Sequence, residues 1–239
     1  MKQYDLGHWW LKIESIHSSY QELSSFINNK EALNHHYDSI TMIYYDENNV
    51  QHTATNPDSK KLWIDTIDGN IADALKIYSN QVIVLFVSII DLMITDLIKT
   101  MFVHSMKSFF DIIDSKEFNN LFHISLKTLY QSESKEEIVE QHADIIAKYI
   151  NSGSIDKTLK RIEKISQYCI PEKIKESVIE LYLLRNRIVH ELEVFNISDN
   201  DIRNYFNISD SLRIETGKLL LKMKIEFNDP ANWMKLNDF

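Results

Sequence analysis

The sequence predicts an all-α fold, and three observations carry that reading. Glycine and proline are scarce, 4 and 3 in 239 residues, so the chain has few obligatory turns or helix breaks. Apolar residues recur three and four apart over most of its length, the spacing of one helix face. The most apolar run, residues 82–94, carries Ser88 and Asp91 inside it, which suits a central helix buried on most sides. At 44% hydrophobic and 26% charged residues, the chain can bury a sizeable core. Its length fits one large domain or one and a half small ones.

The elements follow in order. Residues 8–34 place Trp9, Ile13, Ile16, Tyr20, Leu23 and Ile27 on one helical stripe. Residues 38–55 differ in texture. Ile40 to Tyr45 is β-branched and aromatic, Asp46-Glu47-Asn48-Asn49 reads as a turn, and Val50 to Thr55 can return as a second strand, a small β-hairpin appended to the bundle. His35, His36 and His52 lie nearby, but adjacent histidines point apart, so no metal site is expected. Pro57 to Ser59 can start the next helix, with Gly69 either kinking it or ending a first piece.

The 82–94 run is too short by itself for a membrane span and has Asp96 and Lys99 just beyond it. A buried carboxylate is costly unless it is partnered. Asp91 therefore either pairs with a cation such as Arg185 or Arg187, or reaches the rim of the bundle. Helical spacing continues over residues 101–130, with a break at Asp114-Ser115. Ser134, with Glu137 three later, marks the start of another helix, and Gly153 ends it. A basic amphipathic helix follows over 154–168. Pro171-Glu172 opens the next, with Val178, Leu181, Leu184 and Ile188 as its core stripe. That helix is expected to end at residues 196–199, followed by a short helix over 199–206 and a last one capped by Ser209 and reaching about residue 227. The domain organisation reads as 1–56, an N-terminal helix and hairpin extension; 57–227, a helical bundle; and 228–239, a C-terminal tail.

Cys169 is the only cysteine, so neither an intramolecular disulfide nor a thiolate metal cluster can form. The first residues carry no h-region or cleavage signal, and cytoplasmic residence, with no membrane partner, is the default expectation. There is no glycine-rich phosphate loop, no H-E-x-x-H pair and no G-x-S-x-G elbow. No cofactor is implied.

What stands out is Leu181-Tyr182-Leu183-Leu184-Arg185-Asn186-Arg187-Ile188-Val189-His190. On a helix, Asn186 and His190 lie within ~40° of each other and Arg187 lies ~60° from His190, whereas Arg185 points ~140° away. Either the long Arg185 side chain curls round, or a second copy of the helix completes a site. Histidine can move protons near neutral pH, arginine binds phosphate oxygens and holds its charge, and an amide can orient either. The net charge of −9 opposes nucleic-acid binding unless positive charge is concentrated locally. Lys157, Lys160, Arg161, Lys164, Lys173 and Lys175 precede the run and are the expected source; a solvated helix face explains them equally well.

Arg185-Asn186-Arg187-Ile188-Val189-His190 resembles the R-N-x-x-x-H signature of HEPN domains (Higher Eukaryotes and Prokaryotes Nucleotide-binding). Leu85-Phe86-Val87-Ser88-Ile89-Ile90-Asp91 resembles an early helix of the RiboL-PSP type of that family. The resemblance covers roughly residues 62–227. It implies a HEPN-like helical bundle and a metal-independent endoribonuclease that cleaves RNA by attack of the ribose 2′-hydroxyl. Arg185, Asn186 and His190 would be catalytic, and Asp91 and Arg187 supporting. It also implies a homodimer whose cleft is built from two motifs, in a toxin or phage-defence setting where a neutralising or defence-system partner protein is expected. His190 is followed by Glu191-Leu192, with no Tyr two after the His, which departs from the toxin subgroup silenced by modification of that Tyr. The alternative is a non-catalytic nucleotide- or RNA-binding or regulatory dimerisation module, with the motif a polar network that fixes packing.

Overall fold

The 82–94 run lies in the middle of a single 48-residue helix, and the other long helices gather round it. The computed structural model describes residues 3–39, 43–53, 57–109 and 134–232. In chain order the elements are α1 (Leu6–Ile27), α2 (Lys30–Ser39), β1 (Ile43–Tyr45), β2 (Gln51–Thr53), α3 (Pro57–His104), α4 (Lys135–Ile150), α5 (Ile155–Ser166), α6 (Glu172–His190) and α7 (Asp199–Lys222). The fold is all-α, as the composition and spacing predict, with one two-stranded hairpin among the described residues. β1 and β2 pair antiparallel, Ile43 opposite Thr53 and Tyr45 opposite Gln51. The predicted turn closes them, the Asp46 carboxylate accepting from the backbone N–H groups of Asn48 and Val50 at 2.9 Å each. The expected helical residues between 110 and 133, with the break at Asp114-Ser115, lie outside the described residues.

α3 buries Ile83, Val87, Ile90, Met93, Ile94, Leu97, Ile98 and Met101 against α1, α4, α6 and α7. By length and composition alone, its segment from Lys61 to His104 could cross a membrane; half of its most apolar stretch is packed inside the bundle. Gly69 does not end it, since the helix runs through that position. Trp9 is buried, and its indole Nε1 donates to Asp96 Oδ2 at 3.2 Å, which ties α1 to α3.

Three boundaries differ from the sequence reading. The helix expected over 8–34 is two helices, because Asn28 turns its amide back onto Ser24 O and Asn29 Oδ1 accepts from the N–H groups of Glu31 and Ala32. The motif helix stops at His190, where Leu192 turns left-handed (φ 55°) and the N–H groups of Glu191 and Glu193 both close on Arg187 O. The short helix expected over 199–206 and the last one expected from Ser209 are one helix, α7. Ser198 caps it in a reciprocal box with Asp201, whereas Ser209 lies within the helix and donates to Tyr205 O at 2.8 Å. Residues 228–232 pack on the other end of the chain. Asn228 exchanges backbone hydrogen bonds with Tyr4 and Leu6, and Pro230 sits so close to Gly7 that an added Cβ there would come within 2.6 Å of its ring.

Candidate functional site

Helix α6 forms where Pro171, whose φ of −54° suits a helix start, is followed by Glu172 at the positive end of the helix dipole. It buries Val178, Leu181 and Ile188, with Leu184 half-buried beside them. Two contacts fix how it lies on α3. Tyr182 donates its hydroxyl to Asp91 Oδ1 at 2.6 Å. Beyond the end of α6, Asn80 clasps the backbone of Phe195, donating to its carbonyl at 2.8 Å and accepting from its N–H at 3.0 Å. Rising numbers on α3 therefore face falling numbers on α6, and the helices run antiparallel.

That orientation decides what shares a surface. In an antiparallel pair of right-handed helices, the residue one step after each contact residue turns ~100° towards the same side of the pair. The residues one step after Asp91 and Tyr182 are Leu92 and Leu183. Both are exposed, at 60% and 58%. Asn186 and His190 fall on the same stripe of α6 as Leu183, and Leu85 on the same stripe of α3 as Leu92. All three of the others are exposed as well. The motif thus sits on an open face with apolar residues along it. Two larger concavities, about 430 Å³ between α1, α3 and residues 196–199 and about 440 Å³ between α2 and α3, are lined by neither Arg185, Asn186 nor His190.

Arg185 starts on the inward side of α6, but its side chain curls towards Asn186. Its Nη1 donates to Asn186 Oδ1 at 3.1 Å on the exposed face. Its Nε is buried and, among the described residues, is the one buried side-chain nitrogen or oxygen without a hydrogen-bond partner. Asp91 lies near enough for the Arg185 charge to stabilise its carboxylate, yet the two make no ion pair. Burial outweighs that help, and also the Tyr182 hydrogen bond, so the Asp91 carboxyl titrates above its ordinary range. The same burial, with the Asp91 charge beside it, pushes the Tyr182 phenol far up, so it stays protonated and acts as the donor. The sequence left open whether Asp91 pairs with an arginine; its direct partner is Tyr182, which sequence reasoning missed. Its position three residues before Arg185, on the same side of the helix, was the available signal.

Arg187 is exposed on the same side of α6, but its guanidinium is engaged. It forms an ion pair with Glu193, and its guanidinium lies over the Phe195 ring at 4.6 Å. Its charge is matched within the loop that follows α6. His190 is exposed and has no hydrogen-bond or ion-pair partner among the described residues.

Part of the basic stretch before the motif is engaged locally. Lys160 pairs with Asp156, and Lys175 with Glu163 and Glu172. Arg161 donates to the carbonyls of Tyr149, Ile150 and Ser152, which caps α4. Lys175 is also 15 residues before His190 on one helix, about 22 Å away along the axis. Comparison of the chain with family models, with curated proteins and with solved structures gave no match in any of the three.

Proposed function

We propose that the chain is a metal-independent endoribonuclease of the HEPN kind, acting as a homodimer whose two motif faces form one cleft. The observation that carries this is the open face itself. Arg185, through Asn186, and a His190 unpartnered among the described residues reach a surface flanked by exposed Leu92 and Leu183. A second copy covering the leucines would convert that face into a cleft and bring two arginines and two histidines together. In it, His190 removes the proton from a ribose 2′-hydroxyl or protonates the leaving 5′-oxygen, and the Arg185 guanidinium binds the phosphate as charge builds on it. Asn186 orients the arginine. The products are a 2′,3′-cyclic phosphate and a 5′-hydroxyl, and DNA, lacking the 2′-hydroxyl, is inert. Arg187 supports the loop at the rim of the cleft.

A toxin or phage-defence role fits such an activity, with the chain held in the cytoplasm and restrained by a partner protein until it is needed. The competing reading is a module of the same fold that binds nucleotide or RNA, or only dimerises, without cleaving. The test is expression of the wild type beside His190→Ala, followed by gel analysis of total RNA, and incubation of the purified protein with RNA in EDTA. Growth arrest and RNA fragments from wild type alone, with cleavage persisting in chelator, are expected. Intact RNA, or equal cleavage by His190→Ala, overturns the ribonuclease reading in favour of the binding module.

A further inference from the structure

Arg185 is a guanidinium held next to a carboxylate with which it does not pair. In a half-buried setting an arginine and an aspartate ordinarily close into a direct, often bidentate, ion pair, because both lose water and each is the best partner for the other. Here the Arg185 Nε–H is buried without an acceptor while the Asp91 charge is close by. The group that occupies Asp91 is the Tyr182 hydroxyl, at 2.6 Å on Oδ1. Tyr182 and Arg185 are three apart on α6, so hydroxyl and guanidinium approach Asp91 from the same helix face. The outer end of Arg185 is held instead by Asn186, on the side where a phosphate would arrive.

We infer that Tyr182 is a positioning residue: by holding the Asp91 carboxylate, it keeps Asp91 from capturing Arg185 and leaves the guanidinium free to take an RNA phosphate. This rests on the ribonuclease reading for its consequence, but not for its geometry. Asp91 then has two effects. Its charge draws the inner end of Arg185 towards the bundle, and its bond to Tyr182 limits how far. If the hydroxyl is removed, the carboxylate turns to the Nε–H, and the arginine is drawn inward, away from the face it shares with Asn186 and His190.

The experiment uses Tyr182→Phe, Asp91→Asn and the double variant in the full chain, each checked to be folded by a single cooperative thermal melt. Two readouts are taken. The first is the arginine Nε–H region of a ¹H–¹⁵N spectrum, with the Arg185 signal assigned by its loss in Arg185→Lys. In Tyr182→Phe that signal should move downfield as the Nε–H gains a carboxylate acceptor, and in Asp91→Asn it should stay near its wild-type position. The second is kcat/KM for RNA cleavage. It should fall about tenfold in Tyr182→Phe, the scale of one hydrogen bond redirected, and return to within about twofold of wild type in the double variant, because a neutral amide has no charge with which to hold the arginine. An unmoved Arg185 signal in Tyr182→Phe, or a double variant as impaired as Tyr182→Phe alone, overturns the inference and leaves Tyr182 a packing residue. Wild-type chain without cleavage, but with the Arg185 signal shifting in Tyr182→Phe, overturns the ribonuclease reading and keeps the restraint.

Discussion

Arg213 on α7 and Arg185 on α6 both bring a guanidinium into the bundle, and their surroundings treat them in opposite ways. Arg213 is fully buried, and its Nε donates to Asp210 Oδ1 at 2.8 Å. Its backbone carbonyl accepts from Thr216, whose hydroxyl in turn meets the Tyr4 phenol at 2.9 Å, so α7 is tied to the start of the chain. Arg185 is half-buried, has a carboxylate within electrostatic reach, and still leaves its buried Nε without an acceptor. An arginine kept for structure is paired as it is buried, because an unpaired buried donor costs about 1–3 kcal/mol and an unpaired charge more. One left incompletely paired, with its outer end at an open face, is better explained by a ligand that completes it. On the proposed function, the difference separates a structural arginine from a substrate-binding one in a chain where sequence gives both the same letter.

The largest effect is expected on the structural side. Asp210→Ala takes the Asp210 carboxylate from the buried Arg213 charge, and should destabilise the fold by about 3 kcal/mol, at the lower end for a broken buried pair because Asp210 is partly exposed. Urea denaturation measures it; a loss under about 0.5 kcal/mol would mean that the two arginines are not so different. On the functional side, Arg185→Ala and His190→Ala should each lower RNA cleavage by at least ~100-fold, the low end for removing charge stabilisation or acid–base help. Neither should move the urea midpoint appreciably. A large loss of stability in Arg185→Ala with cleavage intact would make Arg185 a second Arg213.

Mixing tests whether the cleft is shared. If each site takes Arg185 from one copy and His190 from the other, then dimers combining an Arg185→Ala and a His190→Ala subunit hold one intact site of two. With half the dimers mixed, activity should return to about a quarter of wild type. The curl of Arg185 towards Asn186 offers the competing arrangement, a site complete within one chain, for which mixing restores nothing. A monomeric mass at micromolar concentration by light scattering would also exclude the shared site.

The all-α class, the hairpin and the central place of the 82–94 run were legible because each rests on local signals: periodicity, turn residues and the scarcity of glycine and proline. The motif residues were legible as letters, and their helix wheel correctly set Arg185 apart from His190. What the wheel could not give was the path of a long side chain, and Arg185 reaches Asn186 by a curl that backbone angles do not specify. Nor could it say which of several polar groups would reach Asp91 first. Tyr182 does so because α6 crosses α3 at that level, a fact of tertiary packing. In the basic stretch, Lys160 and Lys175 meet acids one helical turn away, Asp156 and Glu172, which the sequence already interleaves with them, whereas the Lys175–Glu163 pair and the Arg161 contacts with the carbonyl groups ending α4 follow from packing. The left-handed turn at Leu192 also carried no warning, since leucine rarely adopts it.

The smallest expected effect is a sign, and it distinguishes the two sites most sharply. Asp91 is partly buried, and burial raises its carboxyl above the ordinary range despite the Tyr182 hydrogen bond and the Arg185 charge. For a carboxyl whose folded pKa exceeds its unfolded one, the protonated form is favoured by folding. The full stability is present below the unfolded value, about 4, and part of it is lost as pH rises through the folded value. Asp91 in its charged form is therefore a modest cost to the fold at neutral pH. Asparagine keeps an oxygen for the Tyr182 hydroxyl and carries no charge to desolvate. Asp91→Asn should thus melt at or above the wild-type temperature at pH 7, and the gap should close as pH falls towards 4. Asp210→Asn should do the reverse at neutral pH, since it takes from Arg213 the charge that balances it. Melts of both variants from pH 4 to pH 8 give the comparison directly. If Asp91→Asn is less stable than wild type at pH 7, then Asp91 serves Arg185 as Asp210 serves Arg213, and the orphan Nε–H is closed by an ion pair in solution.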